Sequence, residues 1–246
     1  MIVVAGASSG IGLGISKKLK AAGYQIYGIA RRGLGDIPGG TEVFDRYSRI
    51  DLSEKNFEAQ LMEDLSEFKS EVVGWVNNIG KSAWKNIEKV EFTFIDEMLR
   101  TNLISQIILC KCASQMPNIK SIVNIGSIAG RRGSKNNIVY SSSKFAINGL
   151  TQSLAKELGH KGVRVNTVSP VMVSTEGLFS ALSEGNSPSG DIPQETFLET
   201  FSSNETALKR LPTIDEVSDV VEWLLSNKSS AITGQNINVD CGVFPQ

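Results

Sequence analysis

A glycine-rich turn directly after an apolar segment constrains the fold of this chain more than any other feature. Residues 2–5 read IVVA, the composition of a buried strand, and Gly6, Gly10 and Gly12 follow them at the start of a helix predicted over Ile11–Ala22. Glycines at such a turn let the backbone approach a pyrophosphate, whose charge then meets the free N–H groups at the amino end of the helix. The spacing is G-x3-G-x-G rather than G-x-G-x-x-G, so the turn predicts a nucleotide site without matching the commoner fingerprint.

Short apolar segments alternate with amphipathic segments of helical length along the chain. The predicted strands are Ile2–Ala5, Gln25–Ala30, Val72–Asn77, Ser121–Gly126, Val163–Ser169 and Asn236–Asp240, with a further strand near Glu42–Ile50. Because parallel strands need crossover connections, this alternation predicts a parallel sheet with helices on both faces. Together with the glycine-rich turn, it indicates a single-domain α/β protein with a doubly wound, Rossmann-type sheet of about seven strands.

Composition and charge exclude several classes of protein. A net charge of −1 over 246 residues provides no overall positive field, so nucleic acid is not an expected partner. No apolar run approaches the roughly 18 residues of a membrane span, and the apolar strand at residues 2–5 leaves no room for a signal peptide. The three cysteines do not form a disulfide framework, and a single histidine, His160, argues against a metal site or a Ser-His-Asp triad. We therefore expect a cytoplasmic protein that binds neither metal nor membranes.

The end of the second predicted strand carries positive charge. In dinucleotide-binding sheets, an acidic residue at this point binds the ribose 2′-hydroxyl of NAD. This chain has Arg31 and Arg32 there, and no acidic residue follows until Asp36. Guanidinium groups bind phosphate through charge-assisted hydrogen bonds, so the sequence favours NADP(H), with two solvated loop arginines as the alternative. Asp51 and Leu52, after the third strand, either flank the adenine or, in the case of Asp51, cap the next helix.

A tyrosine and a lysine share one face of a predicted helix. Tyr140 stands four residues before Lys144, so an ammonium group lies near a phenol. Because a nearby positive charge favours the phenolate, we expect Lys144 to lower the pKa of Tyr140 from its usual value of about 10. Such a tyrosine exchanges a proton with an alcohol or ketone near neutral pH, and Ser127, at the end of a predicted strand, could hold the same oxygen. The spacing alone also occurs on ordinary surface helices, so its meaning depends on the other motifs.

Together, these motifs have the order and spacing of the short-chain dehydrogenase/reductases, and the chain resembles the shorter, classical members of that family. The matching residues are Gly6, Gly10, Gly12, Asn77, Asn78, Ile79, Gly80, Asn102, Ser127, Tyr140, Lys144, Pro170, Thr175, Asn238 and Asp240. The resemblance extends over essentially all 246 residues. It implies a Rossmann-type oxidoreductase that transfers a hydride between NADP(H) and a carbonyl or secondary alcohol, most similar to the 3-oxoacyl-[acyl-carrier-protein] reductases.

The resemblance also implies roles for individual residues. Tyr140 resembles the acid/base of the family, and Lys144 resembles the residue that lowers its pKa and holds the nicotinamide ribose. Ser127 is similar to the donor to the substrate carbonyl, and Asn102 to the residue that ties a water into a proton relay. The implied cofactor site comprises Gly6, Ser8, Ser9, Gly10, Ile11, Gly12, Arg31, Arg32, Asp51, Leu52, Asn78, Gly80, Tyr140, Lys144, Pro170, Val173 and Thr175.

Within this implied cofactor site, three contacts are more specific. Asn77 and Gly80 are expected against the adenosine, and Thr175 at the carboxamide. Ser9 joins Arg31 at the 2′-phosphate. Departures from the family pattern are Ile79 in place of alanine, Val171 in place of glycine and a longer segment over Pro170–Arg210, which puts any assignment of substrate by analogy in doubt.

The longer segment is expected to cover the substrate. Residues 183–203 are polar and contain glycine, proline and serine, so we expect a mobile lid over Ser174–Arg210. The apolar residues expected to close over a substrate are Leu178, Phe179, Phe197, Leu198 and Phe201. By resemblance, we also expect a homotetramer or homodimer built partly on the helices Phe94–Met116 and Tyr140–Leu158.

Several alternatives remain open at the level of sequence. The substrate is either a small or carrier-bound carbonyl compound of the 3-oxoacyl type or a sugar or polyol. A dinucleotide-sensing or scaffolding protein without turnover is a third possibility, although a sensor has no need for Asn102, Ser127, Tyr140 and Lys144 together. Arg131, Arg132 and Lys135 either form a solvated loop or recognise an anionic substrate or carrier. Trp84 is expected in the core or at an interface.

Overall fold

Seven parallel strands form one sheet in the computed structural model, which describes residues 1–245. The strands are β1 (Ile2–Ala5), β2 (Ile26–Ala30), β3 (Arg46–Arg49), β4 (Gly74–Asn77), β5 (Ser121–Ile125), β6 (Arg164–Pro170) and β7 (Asn236–Val239). Their order is β3-β2-β1-β4-β5-β6-β7, and every neighbouring pair is parallel. The predicted doubly wound α/β sheet is therefore confirmed.

The least regular prediction concerned the third strand. The segment predicted near Glu42–Ile50 contains the last residues of a short helix, Gly40–Val43, before β3 begins at Arg46. β3 lies at the edge of the sheet and pairs only with β2, so Arg46 and Arg49 are exposed. An edge strand of this kind lacks the continuous apolar run that marks the central strands, which is why its bounds were difficult to predict.

Helices cover both faces of the sheet. They are α1 (Gly10–Ala21), α2 (Gly40–Val43), α3 (Phe57–Asp64), α4 (Phe92–Leu99), α5 (Ser105–Ser114), α6 (Ile138–Leu158), α7 (Glu176–Leu182), α8 (Gln194–Glu205) and α9 (Ile214–Leu225). A π-helical segment, Arg100–Ile104, joins α4 to α5. None of the helices in residues 1–245 has the length and apolar character to cross a membrane.

Two hydrophobic cores result from the alternation of side chains along the strands. Ile2 and Val4 of β1 pack with residues of α1 and α9. Val3 and Ala5 point to the opposite face, where α3, α5 and α6 cover the sheet. Gly14 lets α1 and α9 approach closely, because a Cβ atom at this position would collide with the side chain of Ile214. Both faces of the central strands are therefore buried, as their continuous apolar composition requires.

The strand order has a topological switch point between the neighbouring strands β1 and β4. β2 and β3 lie on one side of β1, whereas β4 and the strands after it lie on the other. At such a switch point the loops after the two neighbouring strands diverge and leave a crevice at the carboxyl ends of the strands. The glycine-rich turn after β1 and the Asn78–Gly80 loop after β4 meet at this crevice.

Candidate active site

One large cleft, of about 1300 Å³, lies at the carboxyl ends of the strands. The predicted site residues that line it are Ser9, Gly10, Ile11, Arg31, Arg32, Asn78, Gly80, Ser127, Tyr140, Lys144, Pro170, Val173 and Thr175. Gly6, Ser8, Gly12, Asp51, Leu52 and Asn102 lie outside this lining within the described part of the chain. The cleft thus brings the glycine-rich turn, the two arginines and the Tyr140–Lys144 pair into one site.

The glycine-rich turn is shaped by a close approach of two loops. Gly6 has a φ of +75°, and a Cβ atom there would collide with the backbone carbonyl of Asn78. The side-chain amide of Asn78 donates a hydrogen bond of 3.1 Å to the Gly6 carbonyl, which ties the loop after β4 to the turn after β1. Gly6 and Gly12 therefore allow the close packing of the turn without lining the cleft, whereas Ser9 and Gly10 line it.

The amino end of α1 is suited to bind an anion. The helix begins at Gly10 with neither a side-chain cap nor an acidic residue in its first turn. Its first backbone N–H groups therefore remain available, and the helix dipole places partial positive charge at the cleft. A dinucleotide pyrophosphate fits this arrangement, because the glycines leave no side chain between the backbone and the ligand.

Arg31 and Arg32 lie immediately after β2 and both line the cleft. Their backbone is held by the edge strand: Tyr47 donates a hydrogen bond of 2.7 Å to the Arg32 carbonyl, and Arg49 donates one of 3.0 Å to the Arg31 carbonyl. Both arginines are exposed. Two cations therefore stand at the end of the cleft where the adenosine ribose is expected.

The structure places Asp51 and Leu52 away from the cleft. The Asp51 carboxylate accepts hydrogen bonds from the backbone amide and the hydroxyl of Ser53, at 2.9 and 2.6 Å. Although burial opposes ionisation, these bonds and the charge of Arg31 hold the pKa of Asp51 below its usual value. Leu52 is 2% exposed and belongs to the core, and its carbonyl accepts a hydrogen bond from Ser105. The alternative that Asp51 caps the next helix is wrong, because Asp51 closes a turn at Ser53 and the N-cap residue of α3 is Asn56.

Tyr140, Ser127 and Lys144 meet on the same wall of the cleft. Ser127 follows β5, and Tyr140 and Lys144 lie one turn apart near the start of α6. The Ser127 hydroxyl lies close enough to the Tyr140 hydroxyl to lower the pKa of the phenol. The Lys144 ammonium nitrogen lies 5.8 Å from the centre of the Tyr140 ring and donates a hydrogen bond of 3.0 Å to the carbonyl of Ile125. The site therefore combines a phenol, a hydroxyl and a buried ammonium.

The prediction that Lys144 lowers the pKa of Tyr140 below its usual value is wrong. Burial raises the pKa of Tyr140, and the hydrogen bond from Ser127 offsets only part of this increase. Burial also lowers the pKa of Lys144 to about 8. Both shifts have one physical cause, because low polarity disfavours the charged form of each group. The site therefore holds a neutral phenol beside an ammonium that loses its proton more readily than usual.

Asn102 lies behind the cleft in the π-helical segment and is fully buried. Its side chain accepts a hydrogen bond of 2.8 Å from the Lys81 amide and donates one of 2.9 Å to the Lys81 carbonyl. A Cβ atom at the neighbouring Gly80 would stand 3.4 Å from both Asn102 Oδ1 and Lys144 Nζ. Asn102 therefore holds the Gly80–Lys81 backbone directly beside the Lys144 ammonium group.

Asn77 does not face the cleft, which corrects the expectation that it contacts adenosine. It is the last residue of β4, is fully buried, and accepts a hydrogen bond from the Trp75 indole at 2.8 Å. Its amide donates to Asn124 on β5 at 2.9 Å, and Asn124 in turn donates to Thr151 on α6 at 2.9 Å. This polar network joins two strands to α6 beneath the site. Asn78, one residue later, lines the cleft instead.

The expected lid is more ordered than its composition suggested. Residues 174–210 contain α7 and α8, and the hydroxyls of Ser187 and Ser189 donate to the Leu182 carbonyl at 2.6 and 2.9 Å. The lid residues Leu178, Phe197 and Phe201 line the cleft. Phe179 and Leu198 do not, and Leu198 is 6% exposed within the protein.

Several residues of the cleft were not predicted from the sequence, and Trp84 and Asn136 are two of them. Trp84 lines the cleft and is only half-buried, so it is not a core residue, and its backbone amide donates to Glu184 at 3.3 Å. Asn136 also lines it and has a φ of 60°, unusual for a residue other than glycine. Its carbonyl accepts from the Lys85 amide at 2.7 Å, and its side chain donates to the Asn186 carbonyl at 3.4 Å. The Gly133 and Asn136–Asn137 turn signal before α6 was the only indication of this strained position.

Comparisons with known proteins agree with this geometry. A family model described as enoyl-(acyl carrier protein) reductase matches residues 6–244. The 3-oxoacyl-[acyl-carrier-protein] reductase of Chlamydia muridarum is 32% identical, with 98% of this chain and 96% of the relative covered. The sorbitol-6-phosphate 2-dehydrogenase of Klebsiella pneumoniae is 30% identical, covering 98% and 95%. The solved structure of ligand-free aldohexose dehydrogenase from Thermoplasma acidophilum has a TM-score of 0.86 at 25% identity, covering 100% of this chain and 96% of that one.

Proposed function

Because this chain belongs to the short-chain dehydrogenase/reductase family of oxidoreductases, we propose that it transfers a hydride between NADP(H) and a carbonyl or secondary alcohol. One observation carries this proposal: the neighbouring side chains of Ser127 and Tyr140 and the Lys144 ammonium, 5.8 Å from the Tyr140 ring centre, line the same cleft as the glycine-rich turn. A sensor or scaffold needs the turn but not these three groups together. Turnover is therefore the function that the site supports best.

The dinucleotide would supply or accept the hydride, and side chains of the protein donate or accept the proton. In reduction, Tyr140 donates its phenolic proton to the oxygen of the substrate carbonyl. Ser127 donates a second hydrogen bond to the same oxygen and holds the carbonyl carbon toward the cofactor. Because burial raises the pKa of Tyr140, the phenol stays protonated near neutral pH, which favours its role as the acid.

Lys144 and Asn102 act next to this acid. The Lys144 ammonium holds the nicotinamide ribose and stabilises the phenolate that remains after proton donation. The side chain of Asn102 is already bonded to the Lys81 backbone, so we assign it the task of keeping the Gly80–Lys81 loop in place beside Lys144. In the proposed proton relay, the Lys144 ammonium gives a proton to the phenolate and regains one from water beside the Gly80–Lys81 loop.

The proposed cofactor is NADP(H) rather than NAD(H). Arg31 and Arg32, with Ser9, bind the 2′-phosphate, and the amino end of α1 binds the pyrophosphate. Asn78 and Gly80 lie along the adenosine side, and Lys144 and Tyr140 along the nicotinamide ribose. Pro170, Val173 and Thr175 border the carboxamide end of the cleft. Asp51 and Leu52 lie outside the lining, so we assign them no contact with the cofactor.

The proposed substrate is a ketone with an apolar body. The cleft lining also includes large apolar side chains, called here the apolar wall: Trp84, Met172, Leu178, Phe197 and Phe201. Such a wall binds an acyl chain or an aromatic ring more favourably than a fully hydroxylated sugar. A sugar or polyol dehydrogenase is the second candidate, because relatives of that kind match this chain along its length.

We further propose that Ser174–Arg210 acts as a substrate lid and that the protein is a cytoplasmic homodimer or homotetramer. The exposed Ile107 on α5 and Phe145 on α6, with Ile104 between α4 and α5, provide an apolar surface for assembly. Light scattering at micromolar protein concentration measures the oligomeric state, and a monomer would contradict this part of the proposal.

A ketone panel tests the proposed reaction. NADPH consumption is followed with activated apolar ketones, a short 3-oxoacyl thioester and an aldohexose, and the reverse reaction is followed with a polyol and NADP. We expect turnover of the apolar ketones above that of the sugar. Turnover of the sugar or polyol alone would identify the protein as a sugar or polyol dehydrogenase. No turnover of any of these compounds would favour a dinucleotide sensor without enzymatic activity.

A further inference from the structure

The basic cluster between Ser127 and Tyr140 is divided into two parts. Arg131 donates a hydrogen bond of 3.4 Å to the carbonyl of Asn236 on β7 and does not line the cleft. Arg132 and Lys135 line the cleft. The loop that carries these two cations therefore connects the two residues that hold the substrate carbonyl.

The two cations of this loop are only weakly neutralised. Arg132 forms an ion pair of 3.9 Å with Glu205, a separation too long for a hydrogen bond, and the two side chains are 40% and 51% exposed. Lys135 has no ion-pair partner within residues 1–245 and also borders a small groove beside the cleft. Lys81, another cation of the cleft lining, is instead paired with Glu97 at 3.0 Å.

The charge of the lining supports binding of an anion at this loop. The carboxylates in the lining are Glu205, which pairs loosely with Arg132, and Glu176, at the start of α7. An anion that displaces Glu205 gains donors of the Arg132 guanidinium, whose planar shape matches a carboxylate or phosphate. Lys135 adds a charge without fixed geometry.

We propose that Arg132 and Lys135 bind an anionic group, a carboxylate or phosphate, carried by the substrate itself. The inference rests on the proposed function, since it assumes a carbonyl held at Ser127 and Tyr140. The apolar wall that includes Phe197 and Phe201 contacts the body of the same molecule. The substrate is therefore amphipathic, with a reactive ketone, an apolar middle and a negative end.

A near-isosteric pair of aromatic ketones tests the charge preference. 4-Acetylbenzoate and 4-acetylbenzamide differ in charge at one end, and 4-acetylphenyl phosphate distinguishes phosphate from carboxylate. The ratio of kcat/KM for the anionic and neutral compounds is measured in the wild type and in Arg132→Gln and Lys135→Gln. We expect each variant to lower this ratio, by about tenfold for Arg132→Gln, while the neutral amide changes less than about twofold. Added salt should lower the wild-type ratio as well.

Two further variants complete the test: one should increase the preference for anionic ketones, and the other is a control. Glu205→Gln removes the competing carboxylate, so the preference for the anionic ketones should increase. Lys161→Gln is the matched control, because this exposed lysine lies just before β6 at the opposite end of the strands. It removes the same charge as Lys135→Gln and should leave the ratio unchanged.

A binding measurement distinguishes failure of this inference from failure of the proposed reaction. Calorimetric titration of the same ketones into the NADP complex measures the anion preference even where no ketone is turned over. Equal affinity for the benzoate and the benzamide in all variants would overturn the inference, whether or not reduction occurs. A preference seen only when a 3-oxoacyl group is attached to an acidic carrier protein would also overturn it, because the cations would then read the carrier.

Discussion

The Lys144 ammonium nitrogen lies 5.8 Å from the centre of the Tyr140 ring and bonds the carbonyl of Ile125 at the end of β5. The Lys144 ammonium therefore lies close to the phenol, and one of its N–H groups donates a hydrogen bond to the sheet. Burial lowers the pKa of Lys144 to about 8, and the phenol remains neutral. In the proposed complex, the cofactor ribose would give the ammonium a further partner.

Tyr140→Phe should abolish most of the turnover and spare cofactor binding. Phenylalanine retains the ring beside Lys144 but has no proton to donate to the carbonyl oxygen. We expect kcat to fall by about 10²–10⁴-fold, the usual contribution of a general acid. The dissociation constant for NADPH, measured by fluorescence, serves as the control and should change little. Wild-type turnover in the variant would remove Tyr140 from the mechanism.

Lys144→Met should stabilise the free protein in a pH-dependent way. The folded-state pKa of Lys144 is lowered to about 8, so its burial opposes folding below pH 8 by about 3 kcal/mol. Methionine removes this penalty but also the hydrogen bond to Ile125, worth about 1 kcal/mol. The variant should therefore unfold at higher urea concentration at pH 7, and its advantage should decrease as pH rises from about 8 toward 10.5. A stability difference that is constant across this range would mean that Lys144 has the same pKa in the folded and the unfolded protein.

Arg31→Asp should shift the cofactor preference toward NAD(H). The substitution removes attraction for the 2′-phosphate, adds repulsion, and provides a carboxylate for a free 2′-hydroxyl. We expect the ratio of kcat/KM for NADPH and NADH to fall by about tenfold or more. Lys17→Asp, the same change of charge on an exposed residue of α1, provides the control. An unchanged ratio in Arg31→Asp would place the 2′-phosphate elsewhere.

Asn136→Gly should loosen the lid without changing its backbone conformation. Glycine tolerates the φ of 60° at this position but lacks the side chain that bonds the Asn186 carbonyl. We expect faster proteolysis within residues 183–203 in the free variant than in the free wild type. Saturating NADP with a bound ketone should protect this segment in both proteins, because the lid then closes over the ligand. Equal cleavage with and without ligand in the wild type would show that the segment is not a lid.

Much of the fold follows from local sequence patterns. The alternation of apolar strands with helices predicts the parallel sheet, because each pattern reflects which faces of its own element are buried. The glycine-rich turn after β1 and the spacing of Tyr140 and Lys144 likewise depend on residues close together in the chain. These features lead to the nucleotide fold and to the family, and the edge strand β3 is the element whose bounds this reasoning described least well.

Other properties depend on contacts between residues far apart in the chain, and only the tertiary structure decided them. The pKa of Tyr140 is raised because distant segments bury it, although its helix neighbour Lys144 predicted the opposite direction. Asn77 turns into a network with Asn124 while Asn78 lines the cleft, and Arg131 bonds β7 while Arg132 lines the cleft. Adjacent residues point in opposite directions along a strand or around a turn, so a motif identifies the segment at the site, and packing determines which of its side chains reaches it.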